Sequence, residues 1–215
     1  MNIIENVSSE KEKPTENHMK SFSFDKKMWY PLGREGTRIL RPCEYKILYD
    51  AVPKKEYKTS LNALLLTGMR YVEMQRFQEH PQWFDGMFIH LPEEAVLKHE
   101  RKQIERDIRL NPLGRTVISY FLDINLRLPS WQTWRDNLKR WSLKAGLNQS
   151  IDYPLSVKTT RKTWESWLLA VYPGRITEIT LSQGHTTITS INHYLNIAFT
   201  EEDKRDMRDF VDGWI

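Results

Sequence analysis

The hydrophobic period changes twice along the chain, and this change constrains the fold more than any other feature of the sequence. Most apolar residues recur at helical spacing, as Tyr45, Leu48 and Tyr49 do. In the middle, Gln82–Leu91 is rich in Trp, Phe and Ile, and Asp107–Leu110 alternates apolar with charged residues, so two strands are predicted. The charged connection between them predicts a hairpin. We therefore expect a mainly α fold with one small antiparallel β-sheet.

Helical patterns flank this hairpin on both sides. One runs from about Lys55 to a stop at Gly68, and the others follow Pro112. Four helices are predicted after Pro112. Their apolar faces are, in chain order, Val117, Ile118, Phe121 and Leu122; Trp131, Trp134, Leu138 and Trp141; Trp164, Trp167, Leu168 and Val171; and Met207, Phe210, Val211 and Trp214. Residues 21–42, with their aromatic residues, glycines and prolines, predict ordered but irregular structure.

The composition fits a globular protein and disfavours several other classes. Of the 215 residues, 40% are hydrophobic and 12% aromatic, which argues against intrinsic disorder. A membrane span needs about 18 consecutive apolar residues, and neither such a run nor a secretory signal occurs. The single Cys43 excludes an internal disulfide and predicts a reducing cytosol. A net charge of +4 and a pI near 9.0 weakly favour a polyanionic partner.

We divide the chain into three parts. Residues 1–20 are polar and lack an apolar period, so we expect a mobile leader. Residues 21–200 form the main domain. Residues 201–215 form a C-terminal helix whose apolar stripe either docks on a neighbouring protomer or packs on its own core.

The first candidate site segment places a cation directly after a helix stop. Arg70 follows Gly68, and Glu73 lies three residues further on. Taken alone, this pattern is typical of a helix C-cap followed by a surface Arg–Glu pair.

Further candidate segments lie in the C-terminal third. Lys158 and Arg161 share one face at the start of the helix that carries Trp164. Cations there oppose the helix dipole, and a bound phosphate would resolve that conflict, although a solvated face is the simpler interpretation. His185 follows a glycine, and Tyr194 lies nine residues later. Singly, such residues are usually capping or packing residues.

In their order and spacing these segments resemble the motifs of the tyrosine recombinase (phage integrase) family. The shared pattern is TGxR–xE, a basic hairpin, [HK]xxR, then GH, and a Tyr nine residues after that His. Each motif is weak, whereas the ordered set is specific. The sequence is most similar to archaeal and archaeal-virus integrases, in which Lys can replace the first His of HxxR. The resemblance covers roughly Thr37 to the C-terminus, and it implies the catalytic-domain fold of the DNA breaking-rejoining enzymes.

The resemblance implies phosphate-binding roles for four residues. Arg70 and Arg161 are similar to the two arginines that clamp the scissile phosphate. Glu73 is similar to the acidic residue that braces the first of them. Lys158 stands where the family has His or Lys.

It also implies the groups that attack and protonate. Tyr194 matches the nucleophile, and His185 stands where the family has His or Trp. A lysine of the hairpin corresponds to the general acid for the leaving 5′-oxygen. Lys98 fits the distance from the first arginine and Lys102 fits the distance from the second strand, so both stay candidates. The connection 93–105 is longer than in many bacterial relatives, which causes this ambiguity.

The chemistry explains why these residue types are needed. Transesterification of a phosphodiester develops negative charge on two non-bridging oxygens, which two guanidinium groups can hold. A Tyr hydroxyl, with an ordinary pKa near 10, attacks only when its proton is removed or the phosphate is activated. The covalent bond conserves the phosphoester energy. We therefore expect neither a metal nor any other cofactor.

The activity implied is that of a site-specific DNA recombinase that cuts and rejoins strands through a 3′-phosphotyrosyl intermediate. Its implied partners are double-stranded DNA and further copies of the chain, the latter through the C-terminal helix. Two alternatives stay open. One is DNA relaxation of the type IB topoisomerase kind, since those enzymes have similar catalytic residues, and the other is a catalytically silent DNA-binding relative.

Family members also carry an N-terminal core-binding domain that completes a clamp around DNA. The residues before Thr37 are too few for it, so we expect an isolated or naturally shortened catalytic domain. Weak and strongly salt-dependent DNA binding would follow.

Overall fold

The structure is a computed structural model, and it describes residues 30–95, 105–124, 126–147, 152–184 and 197–215. Most of these residues are helical. Residues 31–215 form one unit. The helices described are α1 (Pro42–Ala51), α2 (Lys55–Thr67), α3 (Tyr71–Glu79), α4 (Pro112–Asp123), α5 (Trp131–Lys144), α6 (Thr159–Val171), α7 (Ile176–Gln183) and α8 (Glu201–Val211). The strands described are β1 (Leu32–Arg34), β2 (Thr37–Ile39), β3 (Phe88–Leu91) and β4 (Arg106–Arg109). They pair as two antiparallel sheets, β1 with β2 and β3 with β4, and the predicted mainly α class is confirmed.

Helix α6 is the central element, and it is buried on almost every side. It packs against α2, α7, α8 and β2. Its buried polar groups bind the chain at the junction of β2 and α1. The backbone N–H of Leu40 donates to Thr163 Oγ1 (3.0 Å), and Trp167 Nε1 donates to the Leu40 carbonyl (2.9 Å). Because buried polar groups need such partners, these bonds fix the orientation of α6.

Residues 32–39 form a hairpin, so the prediction of irregular structure was wrong for this part of residues 21–42; residues 21–29 lie outside the described residues. Leu32 pairs with Ile39 and Arg34 with Thr37. The two turn residues, Glu35 and Gly36, both have positive φ (49° and 63°). Such a pair forms the two-residue turn that joins tightly paired strands. The glycine at the second turn position was the available signal.

The central hairpin is confirmed, but its first strand is shorter than predicted. Residues 81–83 form a 3₁₀ turn, and pairing begins only at Phe88, with Ile89 opposite Ile108. The cause is Asp85, whose carboxylate accepts the backbone N–H groups of Met87 (2.7 Å) and Phe88 (2.6 Å) and turns the chain before the strand. The connection that carries Lys98 and Lys102 lies outside the described residues.

Helix α8 packs on its own domain. Met207, Val211 and Trp214 are buried, and Trp214 Nε1 donates to the Arg109 carbonyl (3.1 Å). The described part of the stripe thus packs on its own core, and docking on a neighbouring protomer stays a prediction. The predicted leader, residues 1–20, lies outside the described residues.

Candidate active site

The site begins where α2 ends. Gly68 has a φ of +61°, a left-handed conformation that favours glycine. A Cβ at this position would lie 2.8 Å from Trp164 Cδ1 and would also collide with the side-chain amide of Gln183. The absence of a side chain thus lets the end of α2 approach both α6 and α7.

Arg70 and Glu73 form the N-terminal cap of α3. The backbone N–H of Arg70 donates to Glu73 Oε2 (2.7 Å), and Arg70 Nη1 donates to Glu73 Oε1 (2.6 Å). The Glu73 side chain is fully buried, whereas 38% of the Arg70 side chain is exposed. The pair is therefore no ordinary surface ion pair, because a buried carboxylate holds a guanidinium that reaches solvent.

Arg161 joins three of the predicted segments. It lies in the first turn of α6, where its Nη1 donates to the Gly68 carbonyl (2.7 Å) and its Nη2 donates to the Gln183 carbonyl. Gly68 precedes Arg70 by two residues, and Gln183 precedes His185 by two. One buried guanidinium thus ties the TGxR segment and the segment leading to GH to the helix that carries KxxR.

A third arginine, which the sequence analysis missed, completes the cluster. Arg106 begins β4, and its Nη2 donates to Glu73 Oε2 (2.8 Å) while its Nε donates to the Ser182 carbonyl (3.2 Å). The alternation of the strand could have predicted that Arg106 points inward, because Arg106 and Ile108 lie on the same buried face. A charged residue at an inward position needs a buried counter-charge, and Glu73 supplies it.

The cluster is electropositive in a buried setting. Burial alone would raise the pKa of Glu73, but the guanidinium groups of Arg106, Arg161 and Arg70 outweigh it and lower that pKa to about 2. Burial lowers the pKa of Arg161 to about 10, so both groups stay charged at neutral pH. Glu165, one turn along α6, also interacts with Arg161. Among the described residues named here, three guanidinium groups stand against two carboxylates, and such a surplus of positive charge suits an anionic ligand such as a phosphodiester.

The other predicted residues are not brought into this cluster by the described structure. Lys158 stands at the N-cap position of α6 and is exposed. Its backbone N–H donates to Ser156 Oγ (3.2 Å), and its carbonyl accepts the backbone N–H of Lys162 (3.0 Å). Its position near the helix start is as predicted. Lys98, Lys102, His185 and Tyr194 lie outside the described residues. The described chain reaches Gly184, next to Arg106, and resumes at Ile197.

Two features are absent from the described part of the chain. Within it, no helix combines the length and apolar character that crossing a bilayer requires. The same residues hold no group of three or more His, Cys, Asp or Glu side chains suited to a metal ion.

The fold that carries this cluster is that of the tyrosine recombinase catalytic domain. Among solved structures the chain is similar to XerA recombinase, with 16% identity and a TM-score of 0.54 over 80% of this chain. It is also similar to the integrase of transposon Tn1549, solved with circular intermediate DNA and, as a single-residue variant, with transposon right end DNA. Those two matches have 14% identity and TM-scores of 0.54 and 0.55.

The similarity concerns the fold and part of each protein. The chain spans 64% to 66% of the length of the solved chains that it matches. No protein-family model matches the sequence, and no curated protein does.

Proposed function

We propose that this chain is the catalytic domain of a site-specific DNA recombinase of the tyrosine type, which cuts and rejoins DNA strands through a 3′-phosphotyrosyl intermediate. The observation that carries the proposal is the pair of bonds from Arg161 to the Gly68 and Gln183 carbonyls. Through these bonds the TGxR segment and the segment leading to GH both contact the Arg161 guanidinium. The recombinase fold supports the same conclusion.

In this proposal Arg70 and Arg161 hold the non-bridging oxygens of the scissile phosphate. Glu73 keeps Arg70 oriented through its short bond to Nη1. Preorganised cations act most strongly where charge develops, and they need no reorganisation during the reaction. Lys158 and His185 add donors at the edge of the site, as the motif implies.

The covalent step exchanges one phosphoester bond for another. The Tyr194 oxygen attacks the phosphorus, its proton passes to water, and the bond from phosphorus to the 5′-oxygen breaks. Lys98 or Lys102 donates a proton to the departing 5′-oxygen. Rejoining reverses these transfers, so the reaction needs no external energy source.

The proposed partner is double-stranded DNA. The Tn1549 integrase structures contain DNA, and the surplus positive charge of the arginine cluster supports a phosphate ligand here. The likeness to archaeal integrases and the assembly of several copies rest on the sequence motifs alone. No described feature favours the topoisomerase or the catalytically silent alternative.

A nicked duplex library with a randomised central segment tests the proposal without a known target. Cleavage near the nick releases a short strand, so covalent complexes accumulate, and they can be captured after denaturation and sequenced. The test variant is Arg161→Lys, which keeps the charge but loses the fork, and Arg135→Lys on the exposed face of α5 is the matched control.

We expect the wild-type chain and Arg135→Lys to form covalent complexes enriched in one sequence. Arg161→Lys should form them about 10²- to 10³-fold more slowly. A wild-type chain that forms no adduct with any member of the library, or an Arg161→Lys variant as fast as wild type, would refute the proposed function.

A further inference from the structure

Arg106 is a buried arginine that connects two elements of the proposed site. Its guanidinium binds Glu73 on α3 through Nη2 and the Ser182 carbonyl at the end of α7 through Nε. Only 4% of its side chain is exposed. Arg106 lies on the basic hairpin of the recombinase pattern, but that pattern assigns it no role.

We propose that Arg106 is a positioning residue of the site, acting on the scissile phosphate through Glu73 and through the end of α7. This inference rests on the proposed function. Arg106 shares Glu73 with Arg70, since Arg106 binds Oε2 and Arg70 binds Oε1 of the same carboxylate. The carboxylate is therefore fixed on one side by Arg106 and presents its other oxygen to the guanidinium that reaches solvent.

The second contact concerns the chain that leads to His185. A Cβ at Gly184 would lie 2.9 Å from Arg106 Cδ and 3.2 Å from its Nη1, so the glycine backbone lies directly against this side chain. Gly184 also has a φ of +66°. Arg106 Nη1 is buried and has no hydrogen-bond partner among the residues that the structure describes. Arg106 thus sets both the direction of Arg70 and the place where the chain leaves α7.

The geometry requires an arginine. Its donors point in two directions from a rigid plane, so one side chain can bind a carboxylate and a carbonyl on different elements. A lysine at this position could balance the charge of Glu73, but one ammonium would have to serve both contacts. The two substitutions therefore separate charge from geometry.

The charge also has a consequence for pH dependence. Burial favours protonation of Glu73, and among the cations that oppose it Arg106 is the strongest. Arg70, Arg161 and Arg106 are charged groups that face Glu73 among the described residues. Without Arg106 the pKa of Glu73 should rise, so the site should lose activity at a higher pH when the solution is acidified.

The experiment compares Arg106→Gln, Arg106→Lys and the control Arg109→Gln with wild type. Arg109 lies on the same strand, but its guanidinium faces the Trp214 ring, with 5.7 Å to the ring centroid, and has no described contact with Glu73. The readouts are thermal melting, the single-turnover rate of covalent adduct formation between pH 5 and 8, and stabilisation by inorganic phosphate.

We expect Arg106→Gln to react about 10- to 100-fold more slowly than wild type, as is typical when a group that orients a functional residue is lost. Its activity should fall at a higher pH on the acidic side. Arg106→Lys should restore the pH profile but not the full rate, and Arg109→Gln should behave like wild type. A folded Arg106→Gln with a wild-type rate and pH profile would overturn the inference, as would a fully active Arg106→Lys.

Phosphate stabilisation separates this inference from the proposed function. If the wild-type chain forms no adduct, the proposed function fails and the phosphate titration decides the role of Arg106. Arg106→Gln should then need a higher phosphate concentration for the same rise in melting temperature, or Arg106→Lys should if the Gln variant does not fold. Equal phosphate dependence in wild type and in the folded variant would overturn the inference.

Discussion

At Gly68 the backbone conformation and the packing impose the same requirement. The left-handed φ strains any other residue, and the site of a Cβ is already occupied by Trp164 and Gln183. This residue sets the spacing between α2, α6 and α7. The Gly68 carbonyl is also one of the two carbonyls that accept hydrogen bonds from Arg161.

We predict that Gly68→Ala lowers the free energy of unfolding by about 2–5 kcal/mol, combining about 1–2 kcal/mol of backbone strain with about 1–3 kcal/mol of overpacking. Gly146→Ala is the matched control, because Gly146 has a φ of +69° but nothing within 4 Å of a Cβ. It should lose only the strain. Urea unfolding measures both, and equal losses would show that the close packing around Gly68 is unimportant.

Glu73 should make stability depend on pH. Its pKa falls from an ordinary 4.5 to about 2 on folding. A lowered folded-state pKa gives a contribution that is complete above the unfolded-state value and disappears as the pH falls toward the folded-state value. We predict that between pH 6 and 3 wild type loses roughly 2 kcal/mol that Glu73→Gln does not lose.

Urea unfolding at several pH values measures this difference. Glu79→Gln, on the exposed end of the same helix, is the control and should follow the wild-type profile. If Glu73→Gln followed that profile too, the buried carboxylate would not be ionised in the folded protein.

Single residues differed in how far the sequence could predict them. Gly68, Arg70, Glu73 and Arg161 belong to ordered motifs, and the structure brings them together, although their catalytic roles stay a proposal. Arg106 could not be paired with Glu73 from the sequence, because 33 residues separate them and only the sheet and α3 bring them close. Its inward position on β4 was nevertheless readable from the alternation.

Among the elements, α8 is held to its domain by more than its apolar stripe. Asp203 in its first turn forms an ion pair with Arg41 at the start of α1, and both side chains are buried. Asp203 also accepts the backbone N–H of Thr200 (2.9 Å). One carboxylate thus caps α8 and binds it to α1.

We predict that Asp203→Asn destabilises the protein by about 3–5 kcal/mol, because it removes the negative charge of a buried ion pair with Arg41. Asp209→Asn on the same helix is the control. Its carboxylate is 70% exposed and lies 3.7 Å from Lys46, so its loss should cost less than about 1 kcal/mol. Similar small losses for both variants in urea unfolding would mean that the buried pair does not hold the helix.

Elements with a long apolar period were predicted well, and those fixed by local turns were not. The bounds of α2 agree with the predicted run from about Lys55 to Gly68, and α6 carries the predicted Trp-rich face. Helices α3 and α7 are short and were not predicted, and the β1–β2 hairpin depends on two positive φ angles rather than on an apolar pattern. The first strand of the central hairpin was predicted too long, because the turn at Asp85 was not recognised in the sequence.

At the scale of the whole molecule, α6 explains how distant motifs can form one site. It packs against α2 and β2, which precede it in the chain, and against α7 and α8, which follow it. Its first turn carries Arg161. The site is thus assembled from the ends of α2, α3, α7 and β4 around one helix. The sequence showed the motifs, whereas this long-range packing supplied their common position.

The central claim is that the arginine cluster activates a phosphate for attack by Tyr194. The most direct measurement is mass spectrometry of peptides from the covalent DNA complex after nuclease digestion, with Tyr194→Phe as the control. We predict that a nucleotide is attached to the peptide containing Tyr194, through its phenolic oxygen, and that the Phe variant yields no adduct. A nucleotide on any other residue, or an adduct that persists in Tyr194→Phe, would contradict the account.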